Sequence, residues 1–364
     1  MGKRVTDVII AGAGISGMLS AWYLSEAGLK VTLMDQAEPG RESSWAGGGI
    51  ISPLYPWRYP AAVNHLAKWS QQHFATLVAE LQQQTGIDPE YLSSGLLMPS
   101  LSEAEYQQAK TWAATYPAKL QELDSPQLNR VQAGLNVPPG HHLFLPEVCQ
   151  VRNPRLLQAL LAALKQRGVA ILPHHPVSRP IREAGRVVGV EVNGELHRAS
   201  TVVLCVGAWT AQLIDGPAIQ PVRGQMLLFQ ADPRLLQRIL LTEDTYLIPR
   251  RDGKILAGST MEYVGFDKST TNNAREDLFQ RATQRLPALV NCPVIHHWAG
   301  LRPGSTDGIP TISPVPGIEG LFINAGQFRN GVVTSPASAR LLSDLVLNKP
   351  PILNPSDYQL PCPT

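Results

Sequence analysis

The 364-residue chain has only four cysteines, Cys149, Cys205, Cys292 and Cys362, and no two of them form a C-x-x-C pair. Neither a zinc site nor a disulfide framework is indicated. Three adjacent histidine pairs occur, His141–His142, His174–His175 and His296–His297. Neighbouring residues on a strand face opposite ways, so these are poor chelators and no metal site is expected. No apolar stretch reaches the length of a membrane span. A long basic block is also missing, and the net charge is only +2. That argues against nucleic acid as the main partner and leaves an acidic small molecule open. Lys3-Arg4 ahead of apolar residues resembles a signal peptide, but Asp7 interrupts the run and the same residues are needed for a first strand. Met1-Gly2 with Thr6 matches a myristoylation pattern directly before that strand and is read as coincidence. The expectation is a cytoplasmic protein without a membrane partner.

What is present points to a folded two-domain chain. Hydrophobic residues make up 44% of the sequence and charged ones 16%, enough for a sizeable core. No internal repeat or low-complexity tract interrupts it. The most informative segment is DVIIAGAGISGMLSAWYLSEAGLKVTLMD, residues 7–35. An apolar run from Asp7 to Ala11 reads as a buried strand, followed by Gly12-Ala13-Gly14-Ile15-Ser16-Gly17 where strand becomes helix. In such a G-x-G-x-x-G turn, the first glycine permits the tight bend and the second lets backbone approach a pyrophosphate. The third lets helix pack close on strand. The helix N-terminus offers free N–H groups and a positive dipole end to phosphates. A second strand, Lys30 to Met34, ends in Asp35, whose carboxylate is placed to accept ribose hydroxyls. Strand, helix, second strand and acid are in register, so a bound dinucleotide is expected.

Downstream, EPGRESSWAGGGIISP is too rich in Gly and Ser for regular structure. Its small residues would let the chain pass beside a flat cofactor, with Ser43, Ser44 and the Gly47–Gly49 amides available to it. Residues 60–84 and 102–123 read as amphipathic helices. NPRLLQALLAALKQR is another, with Asn153 as N-cap, Pro154 at its first position and Gly168 as stop. Strands follow at Ala170–Leu172, Arg186–Val192 and Thr201–Val206. Residues 219–262 then change to alternating strands, with Asp252-Gly253 as a hairpin signal before KILAGSTME. A helix is expected at 272–286. The end of the chain, GLFINAGQFRNGVVTSPASARLLSDLVL, reads as strand, glycine-rich turn and helix, returning to the parallel sheet. The fold class is therefore α/β: a Rossmann-type dinucleotide-binding domain with a parallel sheet, plus an inserted α+β domain with a large antiparallel sheet. The discontinuous first domain takes 1–86, 142–218 and 300–364; the substrate domain takes 87–141 and 219–299.

No second G-x-G-x-x-G exists, so a bound flavin would draw electrons from a substrate rather than from NAD(P)H. The GAGISG turn with Asp35, the SSWAGGGI stretch, the CVGAWT strand end, WAGLRPGSTDGIP and INAGQFRNGVVTSPASARLLSDL together resemble the D-amino acid oxidase family of flavoproteins. The resemblance is strongest to its bacterial glycine oxidase branch, which is associated with thiamine biosynthesis. It covers nearly the whole chain and implies FAD. Residues 299–331 contain no cysteine, unlike the covalently flavinylated sarcosine oxidases, so noncovalent FAD is expected. The C-terminal Pro361-Cys362-Pro363-Thr364 is not a peroxisomal tripeptide. With no companion methyltransferase domain in the sequence and no marked basic surface in its composition, the oxidase half of a tRNA-modifying enzyme is the less expected relative.

The turn from Gly326 to Gly331 leads into a helix expected to begin near Val332 and to point its N-terminus at the flavin. Free amides there would stabilise the anionic pyrimidine end of a reduced flavin. By resemblance the cofactor set is Gly12, Ala13, Gly14, Ile15, Ser16, Gly17, Asp35, Gln36, Ser43, Ser44, Ala46, Gly47, Gly48, Gly49, Val177, Gly207, Trp209, Gly300, Arg302, Arg329, Asn330, Gly331, Val332, Val333 and Thr334. An amino-acid oxidase must also grip a carboxylate, and the planar, permanently charged fork of arginine suits that task. The resemblance assigns the clamp to Arg302, a second donor to the Tyr246 hydroxyl and a pocket wall to Met261; Arg329, just before the flavin-facing helix, is placed to bind either the substrate or backbone carbonyls of the pocket. No acid–base residue is nominated, because hydride transfer from the α-carbon to flavin N5 needs alignment of a neutral amine rather than a base.

The expected activity is oxidation of glycine, sarcosine and small D-amino acids. The imine hydrolyses to keto acid and ammonia, and O2 is reduced to H2O2. A D-amino acid dehydrogenase with another acceptor, a sarcosine-type secondary amine oxidase, and a flavoprotein kept for binding without turnover are the alternatives. Retention of Tyr246, Arg302 and Arg329 together argues against the last. Family members form dimers or tetramers, and a homo-oligomer is expected.

Overall fold

The protein is described from a computed structural model of residues 6–360 apart from Pro217. The Met1-Gly2 pattern, Lys3-Arg4 and the terminal Pro361–Thr364 with Cys362 lie outside the described residues.

Strands Val8–Ala11 and Val31–Met34 pair in parallel, Val8 beside Val31 and Ala11 beside Met34. On its other edge the first strand pairs in parallel with Thr201–Leu204, which pairs in turn with Leu321–Ala325. Ala170–Leu172 extends the sheet beyond Val31–Met34, and the antiparallel Thr311–Pro314 closes the opposite edge, making six strands. Alternation sorts the side chains of the central strand. Val8 and Ile10 enter the core beneath helices Ile15–Glu26, Ala61–Thr85, Asn153–Gln166 and Gly331–Val346, with Met18, Trp22 and Phe74. Ile9 and Ala11 face Val190 and Val192 of a three-stranded antiparallel sheet, Val177–Glu183, Arg186–Val192 and Glu195–Arg198. A strand covered on both faces reads as continuous apolar sequence, which VIIA does.

The second unit is an eight-stranded sheet. Its spatial order is Val294–Ser305, Ile219–Gln230, Lys254–Gly258, Tyr246–Pro249, Ile239–Leu241, Leu96–Leu101, His141–Leu145 and Gln121–Leu123. Every pairing is antiparallel except that between Ile239–Leu241 and Leu96–Leu101. The hairpin expected at Asp252-Gly253 is present, with Gly253 at φ 80°, a conformation that strains any residue carrying a Cβ. Helix Asn272–Arg285 covers one face, burying Leu278 and Ala282 against Leu227, Phe229 and Leu247.

Several local expectations change. Residues 102–123 form not one helix but Glu103–Thr115 followed by strand Gln121–Leu123, because the helix stops before Pro117 and the chain then pairs with His141–Leu145. Asn153 is the first helical residue rather than the N-cap; its Nδ2 donates to the Ser44 carbonyl at 2.8 Å. The glycine-rich stretch holds one regular turn, the helix Ser43–Ala46. The last long helix begins at Gly331, one residue before Val332. The proposed domain limits at 141/142 and 299/300 fall inside the continuous strands His141–Leu145 and Val294–Ser305, so Gly300 and Arg302 ride on the eight-stranded sheet. Among the described residues no helix is long and apolar enough to cross a membrane.

Candidate active site

An elongated cavity runs from the carboxyl ends of the parallel strands, at Ala11, Met34 and Cys205, to the eight-stranded sheet at Gly224, Met226, Tyr246 and Arg302. Crevices beyond the carboxyl ends of parallel strands are where such sheets bind ligands.

At one end the fingerprint has the geometry its sequence implies. Gly12 sits at φ +96°, and a Cβ there would lie 2.3 Å from the Cys205 carbonyl oxygen. A Cβ on Gly17 would meet the Gly12 carbonyl oxygen at 1.9 Å, so this position sets the approach of helix to strand. No side chain caps helix Ile15–Glu26; the Ile15 amide donates to Ser44 Oγ at 2.9 Å. Asp35 lines the cavity while its two oxygens accept from the amides of Ala13 at 2.7 Å and Ala37 at 2.9 Å. Burial raises its pKa above the ordinary aspartate value, against the pull of those amides. The side chain is thus a fixed acceptor with lone pairs left over for hydroxyl donors.

Further along, helix Ser43–Ala46 is seated on strand Val294–Ser305. Trp298 Nε1 donates to the Ala46 carbonyl at 3.1 Å, and Gly300 permits the contact, since a Cβ there would lie 2.5 Å from the Ala46 Cβ. At the far end a second helix N-terminus opens on the same space. Gly331, Val332 and Val333 line it, and no side chain caps helix Gly331–Val346. Asn330 is 3% exposed, yet neither its Nδ2 nor its Oδ1 has a partner. Asn324 Nδ2 is likewise unpartnered, its oxygen accepting from Gln327 Nε2 at 2.6 Å. Leaving such groups buried and unpaired costs about 1–3 kcal/mol each. A ligand edge carrying both donors and acceptors removes that cost, and the uncapped amides favour negative charge beside it.

Arg302 reaches into the cavity from the middle of its strand. Its Nη2 donates to Ser259 Oγ at 2.7 Å and its Nη1 to the Thr260 carbonyl at 3.2 Å. Among the described residues it makes no ion pair. Burial pushes its pKa below the ordinary arginine value; Tyr246 opposes the shift and the Arg329 charge adds to it. Tyr246 is 8% exposed, and its hydroxyl lies 3.8 Å from Met226 Sδ and close enough to Arg302 to act on its charge. Gly224, across the ladder from Gly300, leaves the space the guanidinium fills: a Cβ there would lie 2.2 Å from both Nη atoms. Arg329 lines the cavity as an exposed residue.

Of the residues nominated from sequence, Gly12, Gly14, Ile15, Ser16, Asp35, Gln36, Ser43, Ser44, Ala46, Gly47, Gly48, Gly49, Val177, Gly207, Trp209, Tyr246, Gly300, Arg302, Arg329, Asn330, Gly331, Val332 and Val333 share this cavity. Ala13, Gly17 and Thr334 stand behind its wall. Met261 does not line it: it is 53% exposed on the 259–271 strap, near Tyr263, Val264 and Phe266. That strap is tied down by Arg223, whose guanidinium pairs with Glu262 and Asp267 at 2.6 Å each, and by Lys268 on Glu42 at 2.8 Å. Sequence reading missed Gly224, Met226, Asn324 and Gln327. A glycine inside the strand PVRGQM was the available signal for the first, since such a glycine marks a close approach; the amides depend on tertiary placement.

The chain has relatives among known proteins. The family model described as FAD dependent oxidoreductase, DAO, matches residues 7–345. A protein of Pseudomonas aeruginosa named glycine oxidase is 43% identical over 356 residues, covering 96% of this chain and 97% of that protein. The bifunctional protein ThiO/ThiG of Synechocystis sp. is 31% identical over 354 residues, covering 95% of this chain and 52% of that longer protein. The crystal structure of glycine oxidase from Geobacillus kaustophilus superposes with a TM-score of 0.93 at 25% identity, with 99% of each chain covered.

Proposed function

Because the chain belongs to the DAO family of FAD-dependent oxidoreductases, we propose that it is a glycine oxidase acting on glycine, sarcosine and small D-amino acids, with O2 as electron acceptor. One observation carries the substrate assignment: Arg302 is a half-buried cation lining the cavity, and among the described residues its hydrogen bonds go to neutral oxygens, Ser259 Oγ and the Thr260 carbonyl. A carboxylate is the complement such a guanidinium lacks, and a bidentate pair would fix the amino acid in plane.

The cavity fits noncovalent FAD at both ends. Asp35 and the fingerprint amides suit the ribose and pyrophosphate. The unpaired Asn330 side chain and the amides of Gly331–Val333 suit a polar ring edge that gains negative charge on reduction. When bound, FAD supplies the two-electron acceptor that takes the α-hydrogen at N5 and passes the electrons to O2, giving H2O2. The chain's own residues orient and exclude. Arg302 and the Tyr246 hydroxyl hold the carboxylate, while Arg329 supplies positive charge at the exposed wall. Met226 and the Tyr246 ring keep water from the α-carbon, so the amine meets the cofactor in one alignment. Released imine hydrolyses to the keto acid and ammonia or amine. In the pathway reading favoured by the fused ThiO/ThiG relative, glycine imine supplies thiazole formation for thiamine.

The test is peroxide release by the yellow protein with glycine, sarcosine, D-alanine and D-proline in air, each paired with anaerobic flavin bleaching. Peroxide with glycine and sarcosine is expected. Bleaching without peroxide makes the protein a dehydrogenase, and absence of bleaching with all four removes the amine assignment.

A further inference from the structure

Arg250 follows strand Tyr246–Pro249 at the start of the Asp252-Gly253 turn and is 7% exposed. Its Nη2 donates to the Gly48 carbonyl at 2.7 Å. Its Nη1 donates to Gln150 Oε1 at 2.7 Å and the Val151 carbonyl at 2.9 Å. All three acceptors are neutral. The two acids whose charges act on it, Glu90 and Asp252, are already engaged: Arg152 pairs with Glu90 at 3.1 Å and Asp252 at 3.0 Å, and Lys254 holds Asp252 at 2.5 Å. Arg250 therefore contributes a buried positive charge that no carboxylate touches among the described residues. Burial, with the like charge of Arg152 adding, lowers its pKa to about 10, which leaves it charged at neutral pH.

Burying an unpaired cation is costly, and neutral, well-packed side chains often serve stability equally well. Its position suggests what it does instead. Gly48 lines the cavity, and a Cβ on it would lie 2.7 Å from Ile248 Cδ1 and 3.5 Å from Tyr246 Cε2. The Gly48 peptide is thus held between the substrate-side sheet and the cavity, with the guanidinium on its carbonyl. The next residues, Gly49 and Ile50, are laced to Gln150 and Val151, the other segment Arg250 binds.

We propose that Arg250 is a positioning residue for the flavin: it fixes the Gly48 peptide at the cavity wall and sets a permanent positive charge behind it, favouring the reduced, negatively charged cofactor. The proposal rests on FAD binding and not on which amine is oxidised, so its failure is separable from failure of the substrate assignment.

The test compares wild-type holoenzyme with Arg250→Met, which keeps the stem and loses the charge, and Arg250→Lys, which keeps the charge and loses the fork. Three readouts are the dissociation constant of sulfite, which adds to oxidised flavin and leaves it anionic, the dissociation constant of FAD, and the Tm. A unit charge roughly 10 Å from a site at an effective dielectric near 20 shifts an equilibrium by about tenfold or more. Arg250→Met is expected to weaken sulfite binding by about that factor. Arg250→Lys is expected to keep sulfite affinity within about threefold while binding FAD more weakly. Wild-type sulfite affinity in Arg250→Met, with only a lower Tm, overturns the proposal. Should Arg250→Met fail to fold, Arg250→Lys decides: weaker FAD binding with sulfite affinity kept supports it, and unchanged FAD binding or sulfite affinity lost tenfold overturns it.

Discussion

Replacing Gly224 with alanine is expected to damage substrate binding while leaving the cofactor in place. The new Cβ would lie 2.2 Å from both Nη atoms of Arg302 and 2.3 Å from Cζ. Ordinary contact needs roughly 3.5 Å, so the guanidinium must retreat by more than about 1 Å. The backbone offers no objection, because Gly224 lies within strand Ile219–Gln230 at a φ that alanine tolerates. The atoms that must yield are the end of a flexible side chain, so the fold survives. Alanine in place of a strand glycine even recovers roughly 0.5–1 kcal/mol of backbone entropy. The retreat breaks the contacts to Ser259 Oγ at 2.7 Å and the Thr260 carbonyl at 3.2 Å that aim the guanidinium. A 1 Å misplacement of a positioning group costs about 10²-fold in rate, or about 2.7 kcal/mol. The assay is anaerobic flavin reduction by glycine, which reads binding and hydrogen transfer without involving the electron acceptor. The apparent second-order rate constant should fall about 100-fold with Tm within a few degrees of wild type. In an Arg302→Ala background the same substitution should add almost nothing, because the clash has been removed. Wild-type reduction kinetics in Gly224→Ala, or full additivity in the double variant, would refute the reasoning.

Arg302→Ala alone should leave the protein yellow and raise the Michaelis constant for glycine sharply; loss of colour in purified protein would instead assign Arg302 to the cofactor. Gly17→Ala puts a Cβ 1.9 Å from the Gly12 carbonyl oxygen, a backbone atom that cannot swing away. It should cost several kcal/mol and abolish FAD retention, read by Tm and by the flavin absorbance that co-purifies. Asp252 gives a pH prediction. Burial alone would raise its pKa, but Lys254 and Arg152 outweigh burial and hold it at about 2. The folded value is depressed, so the contribution is present above the ordinary carboxylate pKa near 4 and lost as pH falls through about 2. With the side chain 37% exposed, the shift discounts to about 1 kcal/mol. Asp252→Asn should therefore be less stable than wild type by about that amount at pH 5–7 in denaturant titrations, with the gap closing towards pH 2.

The parts of the site legible in the sequence are those fixed by short-range spacing. Gly12, Gly14, Gly17 and Asp35 are set by one βαβ unit, and their roles follow from turn, helix and strand lengths that any chain must respect. The helix after Gly331 was legible for the same reason, to within one residue. Gly224 and Arg302 come together only through the pairing of Ile219–Gln230 with Val294–Ser305, and that register is not written locally. Arg250 carries no motif at all: its three acceptors come from residues 48, 150 and 151. Met261 shows the reverse error, a position carried over by resemblance that the Arg223-anchored strap holds outside the cavity. Asn153 read as a cap because its local neighbours fit one, but a long-range partner, Ser44, took its side chain.

The ladders that close the cavity also set the order in which it comes into being. Gln220 pairs with Gly304, and Val202 pairs with Leu321. The fingerprint leaves the ribosome long before its facing wall, the helix from Gly331. In between, a nascent chain carries half a cofactor site, with the edge of Thr201–Leu204 waiting for a strand more than a hundred residues away. Cofactor capture waits until both walls have been made, and then draws the folded population forward by mass action. Starvation for flavin should then show first as a shortage of folded protein rather than as an accumulation of colourless enzyme.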